Sequence, residues 1–63
     1  MIEIVGGTTC GYTIMCAQHL SLVGQKFAID FHDQSPNDYP LPQVYVDKEY
    51  VGGFEELIKE YPL

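Results

Sequence analysis

The octapeptide Asp33-Gln34-Ser35-Pro36-Asn37-Asp38-Tyr39-Pro40 is dense in turn formers, and it sits in the middle of a chain of only 63 residues. It reads as a loop, so every regular element must come from the short stretches on either side of it. A chain of this length is expected to form one domain, residues 1–63. Domains of this size bury only about 60% of their unfolded surface, so the core must be thin.

Ile2-Glu3-Ile4-Val5 has the composition of a short strand, and Gly6-Gly7-Thr8-Thr9 of the loop after it. From Gly11 to Val23 the apolar residues Ile14, Ala17, Leu20 and Val23 recur in three-residue steps, with Cys16 beside them. That spacing predicts one helix face, with Gly24 as its C-terminal stop. Phe27 to His32 alternates Phe27, Ile29 and Phe31 with Ala28, Asp30 and His32, the period of a strand buried on one face. Gln43–Val46 and Glu49–Val51 flank Asp47-Lys48 as a hairpin, Gly52-Gly53 breaks the strand, and residues 54–60 close as a helix. Its apolar side is Phe54, Leu57, Ile58 and Tyr61. The predicted order is β-α-β-loop-β-β-α, with the first two strands parallel and joined by a right-handed crossover.

Cys10 stands at the junction between the first strand and the first helix. A thiol there lies where backbone N–H groups and the helix dipole favour an anion, which lowers its pKa and yields the nucleophilic thiolate. Cys16 follows six residues later. Six helical residues rise about 9 Å, whereas a disulfide requires Cα atoms within roughly 4.4–6.8 Å. Both cysteines on one regular helix end therefore do not bridge unless its first turn unwinds. The spacing Cys-x5-Cys-x2-His, ending on His19, fits no common zinc pattern, and neither His19 nor His32 is expected to bind metal.

Nine acids against three bases give a net charge of −6, which disfavours nucleic acid and anionic membranes. No stretch approaches the ~20 apolar residues of a membrane span. Met1-Ile2-Glu3 lacks the basic start of a secretory signal, and two cysteines are too few for a disulfide scaffold. A reducing cytoplasm is the expected compartment.

Three segments resemble those of glutaredoxins, a family of the thioredoxin-fold superfamily. Thr8-Thr9-Cys10-Gly11-Tyr12-Thr13 is similar to the active-site loop, Leu41-Pro42-Gln43-Val44-Tyr45-Val46 to the cis-proline segment, and Val51-Gly52-Gly53-Phe54-Glu55-Glu56-Leu57 to the motif opening the last helix. The resemblance implies an α/β, minimal thioredoxin/glutaredoxin-like fold: a mixed four-stranded sheet with two helices on one face. The family's middle helix has no counterpart in the eleven residues between Asp30 and Pro42. The opposite sheet face is accordingly expected to be wet or to serve self-association as a homodimer. Two further departures concern the site. Thr13 stands where dithiol members have their second cysteine, which makes Cys-Gly-Tyr-Thr similar to the monothiol pattern. Gly7 stands where a lysine is usual.

Carried over residue by residue, the resemblance implies Cys10 as nucleophile, with Thr13 as a hydroxyl donor to its sulfur. Cys16 is either a resolving thiol or an inert residue flanking the core. Glutathione is the implied co-substrate, held by Tyr12, Leu41, Pro42, Gly52, Gly53, Phe54 and Glu55, with Glu56 as the alternative to Glu55. The last helix start is expected to meet a glutathione carboxylate, and the acidic side chain its amino group. Protein disulfides such as that of ribonucleotide reductase are the implied clients, and so short a form suits a compact genome such as a phage's. The alternatives are a glutathione-ligated iron–sulfur carrier, a dithiol cycle through Cys16, and a binding remnant of low activity.

Overall fold

Strand β1 (Ile2–Gly6) buries Ile2, Ile4 and Gly6 on one side and turns Glu3 and Val5 to the other. In the computed structural model, which describes residues 1–63, both of its edges are occupied. β2 (Phe27–Phe31) pairs with it in parallel and β3 (Gln43–Val46) antiparallel, while β4 (Glu49–Gly52) continues antiparallel from β3. The sheet order is β2-β1-β3-β4, and the element order is the one predicted. Register places Phe27 beside Ile2, Ile29 beside Ile4 and Phe31 beside Gly6, so the apolar set of β2 shares the buried face.

Helices α1 (Gly11–Leu22) and α2 (Phe54–Glu60) both pack on that face. The core they close is small: Ile2 and Ile4 from β1, Cys16 and Leu20 from α1, Val44 from β3 and Leu57 from α2. α1 stops as its sequence predicts. Gly24 takes a φ of 77°, Gln25 N–H donates to Leu20 C=O at 2.9 Å, and Gly24 N–H donates to Ser21 C=O at 3.2 Å. These two bonds form a Schellman motif, whose left-handed position favours glycine. The hairpin turns on Asp47 and Lys48, both at positive φ (50° and 69°), the geometry that matches strand twist in a two-residue loop. The N-terminal ammonium of Met1 pairs with Asp47 and holds its carboxyl below the usual range.

The buried side of α1 keeps the predicted Cys16, Leu20 and Val23 but departs from the prediction at Ile14. Thr13, Cys16, His19 and Leu20 are buried, whereas Ile14 is 52% exposed. The reason lies in β1, whose last residue, Gly6, has no side chain and draws the Thr13 side of the helix against the sheet. Ile14 and Ala17 turn instead toward β2, an edge strand with nothing beyond it. With Leu22, Ile29 and Phe31 they line an open groove of about 540 Å³.

Residues 32–42 form no helix or strand, as expected, but the opposite sheet face is not simply bare. The loop folds onto part of it around the fully buried Gln43. Gln43 Nε2 lies 2.8 Å from Asn37 Oδ1, 2.9 Å from the Tyr39 carbonyl and 3.0 Å from Ser35 Oγ, and its Oε1 accepts from Asn37 Nδ2 and the Tyr45 hydroxyl. Tyr39 stacks on Tyr50 with ring centres 4.0 Å apart. The expectation of an uncovered face therefore holds only toward Glu3, Val5, Ala28 and Asp30, where Ala28 and Asp30 are exposed.

Gln43→Leu removes the centre of this network. It is expected to cost about 1–3 kcal/mol of stability, read from the urea midpoint, because the loop groups lose their partners. Hydrogen exchange is expected to quicken in residues 33–40 while α1 and β1 stay protected.

Candidate functional site

Cys10 caps the N-terminus of α1 in extended conformation (φ −83°, ψ 117°). A turn brings it there, with Cys10 N–H donating to Gly7 C=O at 3.4 Å. Its carbonyl accepts the first helical bonds, from Thr13 N–H at 3.1 Å and Ile14 N–H at 3.4 Å. The thiol is half-buried and its pKa is lowered. The Thr13 hydroxyl is the largest cause, followed by the backbone N–H of Thr13; the Tyr12 N–H adds to these, and burial opposes them less than they contribute. No cation is among the causes.

Thr13 is 1% exposed, and its Oγ1 is a buried side-chain oxygen without a hydrogen-bond partner. With no other acceptor, it is available to donate to the Cys10 thiolate, whose formation it favours most. A Cβ on Gly6 would lie 2.1 Å from Thr13 Oγ1. Glycine is required there for this hydroxyl to reach its position. Cys16, one turn further on, is fully buried in the core as a free thiol. Burial first, and the nearby Cys10 second, push its pKa up to about 11, so it carries almost no thiolate near neutral pH.

Beside the start of α1 lies a cleft of about 260 Å³. Tyr12 walls it from α1, Leu41 and Pro42 from the loop before β3, and Gly53, Phe54, Glu55 and Glu56 from the start of α2. The Leu41–Pro42 bond is cis. Tyr12 and Phe54 pack with ring centres 6.1 Å apart, which joins the two helix starts. His19 supports Phe54 edge-on from beneath and bonds through Nε2 to the Tyr61 carbonyl, so the first helix clasps the end of the second.

Most of the residues predicted for ligand binding thus come together: Tyr12, Leu41, Pro42, Gly53, Phe54 and Glu55 line one cleft. Gly52 does not line it. Its φ is 142°, and a Cβ there would lie 2.4 Å from Glu56 Cγ, so it makes room for that side chain. Glu56 Oε1 in turn accepts from Gly53 N–H at 2.7 Å. The three-residue step from Gly53 to Glu56 is the N-cap to N3 spacing of half a capping box, and it was available in the sequence. Pro40 and Tyr50 also line the cleft. No sequence signal pointed to them, because the loop fold places them. No three His, Cys, Asp or Glu side chains gather as a metal site.

No protein-family model matches the chain, and no curated protein matches its sequence. Solved structures do match its fold. The crystal structure of a buckwheat glutaredoxin–glutathione complex superposes with a TM-score of 0.79 at 15% identity, over 94% of this chain and 66% of that one. Glutaredoxin 1 from Francisella tularensis, complexed with cacodylate, gives a TM-score of 0.76 at 21% identity, over 94% of this chain and 87% of that one. The chain therefore has the small thioredoxin-like α/β fold of glutaredoxins, and spans just under two thirds of the buckwheat protein.

Thr13→Val separates the hydroxyl from the shape of its side chain. The pH midpoint of Cys10 alkylation by iodoacetamide is expected to rise toward that of an ordinary thiol, since a lowered pKa places half-ionisation at lower pH. Stability is expected to hold or increase, because an unpaired buried hydroxyl becomes a methyl. Cys16 is expected to remain unmodified below about pH 9 in both proteins.

Proposed function

We propose that this protein is a glutaredoxin-type thiol-disulfide oxidoreductase with Cys10 as its nucleophile. The observation that supports it best is a half-exposed thiol at a helix N-terminus, its pKa lowered by hydrogen bonds, beside a buried hydroxyl with no other partner. The thiolate attacks the glutathione sulfur of a protein–glutathione mixed disulfide. One S–S bond forms on Cys10 as the other breaks, and the protein sulfur leaves as a thiolate and takes up a proton. A second glutathione then attacks the adduct, releasing oxidised glutathione and returning the Cys10 thiolate. One free glutathione is consumed per turn, and the glutathionyl group carried in by the mixed disulfide becomes the other half of the oxidised glutathione.

The thiol of Cys16 has no part in this cycle. It is buried, and its pKa near 11 leaves it protonated, which favours a monothiol route over resolution by Cys16. Tyr12, Leu41, Pro42, Gly53, Phe54 and Glu55 are proposed to hold the glutathionyl group, with Glu55 meeting its ammonium and Gly52 shaping the backbone behind. The Thr13 hydroxyl donates to the thiolate as attacking and as leaving group. The buckwheat glutaredoxin bound to glutathione supports the choice of thiol. A protein disulfide of the ribonucleotide reductase kind remains the proposed client class.

Glutathione-dependent reduction of a mixed disulfide tests this. Cys10→Ser is expected to lower turnover by at least about a thousandfold, and Cys16→Ser to stay within about twofold of the unaltered protein. Loss of turnover in folded Cys16→Ser would establish a dithiol cycle instead.

A further inference from the structure

The charge of the cleft is one-sided. Its charged lining residues are Glu55 and Glu56, and nothing basic stands among them. The three lysines lie elsewhere: Lys26 before β2, Lys48 at the hairpin tip and Lys59 in the last turn of α2. Cys10 does not line the cleft but caps the start of α1 beside it, and its thiolate is favoured by hydrogen bonds with no cation among the causes.

The backbone is arranged to match. Gly53 N–H, a donor that a ligand carboxylate would need free, already donates to Glu56 Oε1 at 2.7 Å. This occupancy is built into the chain, since any side chain at residue 52 would collide with Glu56. Tyr50 on the cleft wall has its hydroxyl pKa raised by burial first and by the Glu56 carboxylate second, so the negative field reaches across the opening. Tyr12, Tyr50 and Phe54 add aromatic surface on which guanidinium groups and lysine stems pack. At the reacting end, Cys10 caps the start of α1 two residues before Tyr12, which walls the cleft.

We propose that this cleft selects disulfides whose cysteine is flanked by basic residues, a cationic peptide or protein loop, in preference to partners carrying carboxylates. The proposal rests on Cys10 being the nucleophile and names the substrate class of that same site. Glutathione, with two carboxylates and one ammonium, places only its ammonium well here. A lysine or arginine next to the reacting cysteine meets Glu55 and Glu56 directly, and charge attraction of this kind acts mainly on the association rate.

The test uses two pentapeptides, Lys-Lys-Cys-Lys-Lys and Glu-Glu-Cys-Glu-Glu, each joined through its cysteine to thionitrobenzoate. The Cys10 thiolate attacks the peptide sulfur, the new S–S bond forms, and thionitrobenzoate leaves with the electron pair of the broken bond. Its absorbance gives the rate, and mass spectrometry confirms the peptide on Cys10. At low salt the lysine peptide is expected to react at least about tenfold faster, with the ratio shrinking as salt rises. Glu55→Gln/Glu56→Gln is expected to collapse most of that ratio. Glu3→Gln/Glu60→Gln, which removes the same charge outside the cleft, is expected to retain it. Equal rates for the two peptides, both well above free cysteine, overturn the charge selection and leave the oxidoreductase reading standing. Equal loss of the ratio in both double variants also overturns it, since the overall charge then suffices. No peptide adduct on Cys10 from either probe overturns the oxidoreductase reading as well.

Discussion

The contact between Gly6 and Thr13 sets the position of everything chemical in this fold. β1 ends in a residue without a side chain, and the first turn of α1 settles into that space until Thr13 Oγ1 lies where a Cβ would have been. With Thr13 seated, Cys16 and Leu20 follow at three and seven residues along the same side and complete the core with Ile4. The helix start is then held against the end of β1, and Cys10, as N-cap, occupies the one position where its sulfur meets both backbone N–H groups and the Thr13 hydroxyl. A single close approach thus links the packing of a thin core to the ionisation of a thiol.

A small domain has few ways to stabilise a reactive group. Only six residues form the buried apolar cluster, so the site borrows support from packing outside it. His19 is an example: it closes α1 onto the end of α2 through the Tyr61 carbonyl and backs Phe54, which in turn packs against Tyr12. The loop of residues 32–42 does similar work on the other sheet face. Gln43 and the stacked Tyr39–Tyr50 pair anchor it, and its end supplies Pro40, Leu41 and Pro42 to the cleft. A polar network and two aromatic rings thereby cover part of a sheet face on which no helix packs.

The electrostatics point in one direction. The chain is acidic, and one of the two acids in the cleft is held in place: Glu56 is bonded to Gly53 N–H, and Gly52 leaves room for it. Thiolate formation therefore depends on directed donors and on no basic side chain. Hydrogen bonds of this kind are short-ranged and less screened by salt than exposed ion pairs.

Much of the architecture was legible from local patterns. Strand alternation in residues 27–31, the Gly24 stop, the Asp47-Lys48 hairpin and the bounds of α2 each follow from chemistry within a few residues, and each formed as expected. So did the absence of a helix in the turn-rich loop, and the suitability of Cys10 for thiolate at a helix start. Which side of α1 turned inward was a tertiary decision. The apolar steps through Ile14 and Ala17 favoured one side, but the vacancy at Gly6 on another element favoured Thr13, and the closer packing prevailed. The same holds for Glu56 in place of a ligand at Gly53, for Pro40 and Tyr50 in the cleft, and for the burial that silences Cys16. Sequence determined the elements and the placing of Cys10 at a helix start, because those depend on neighbours along the chain. Tertiary structure decided the partners of that residue, because they come from segments that meet only when the sheet closes.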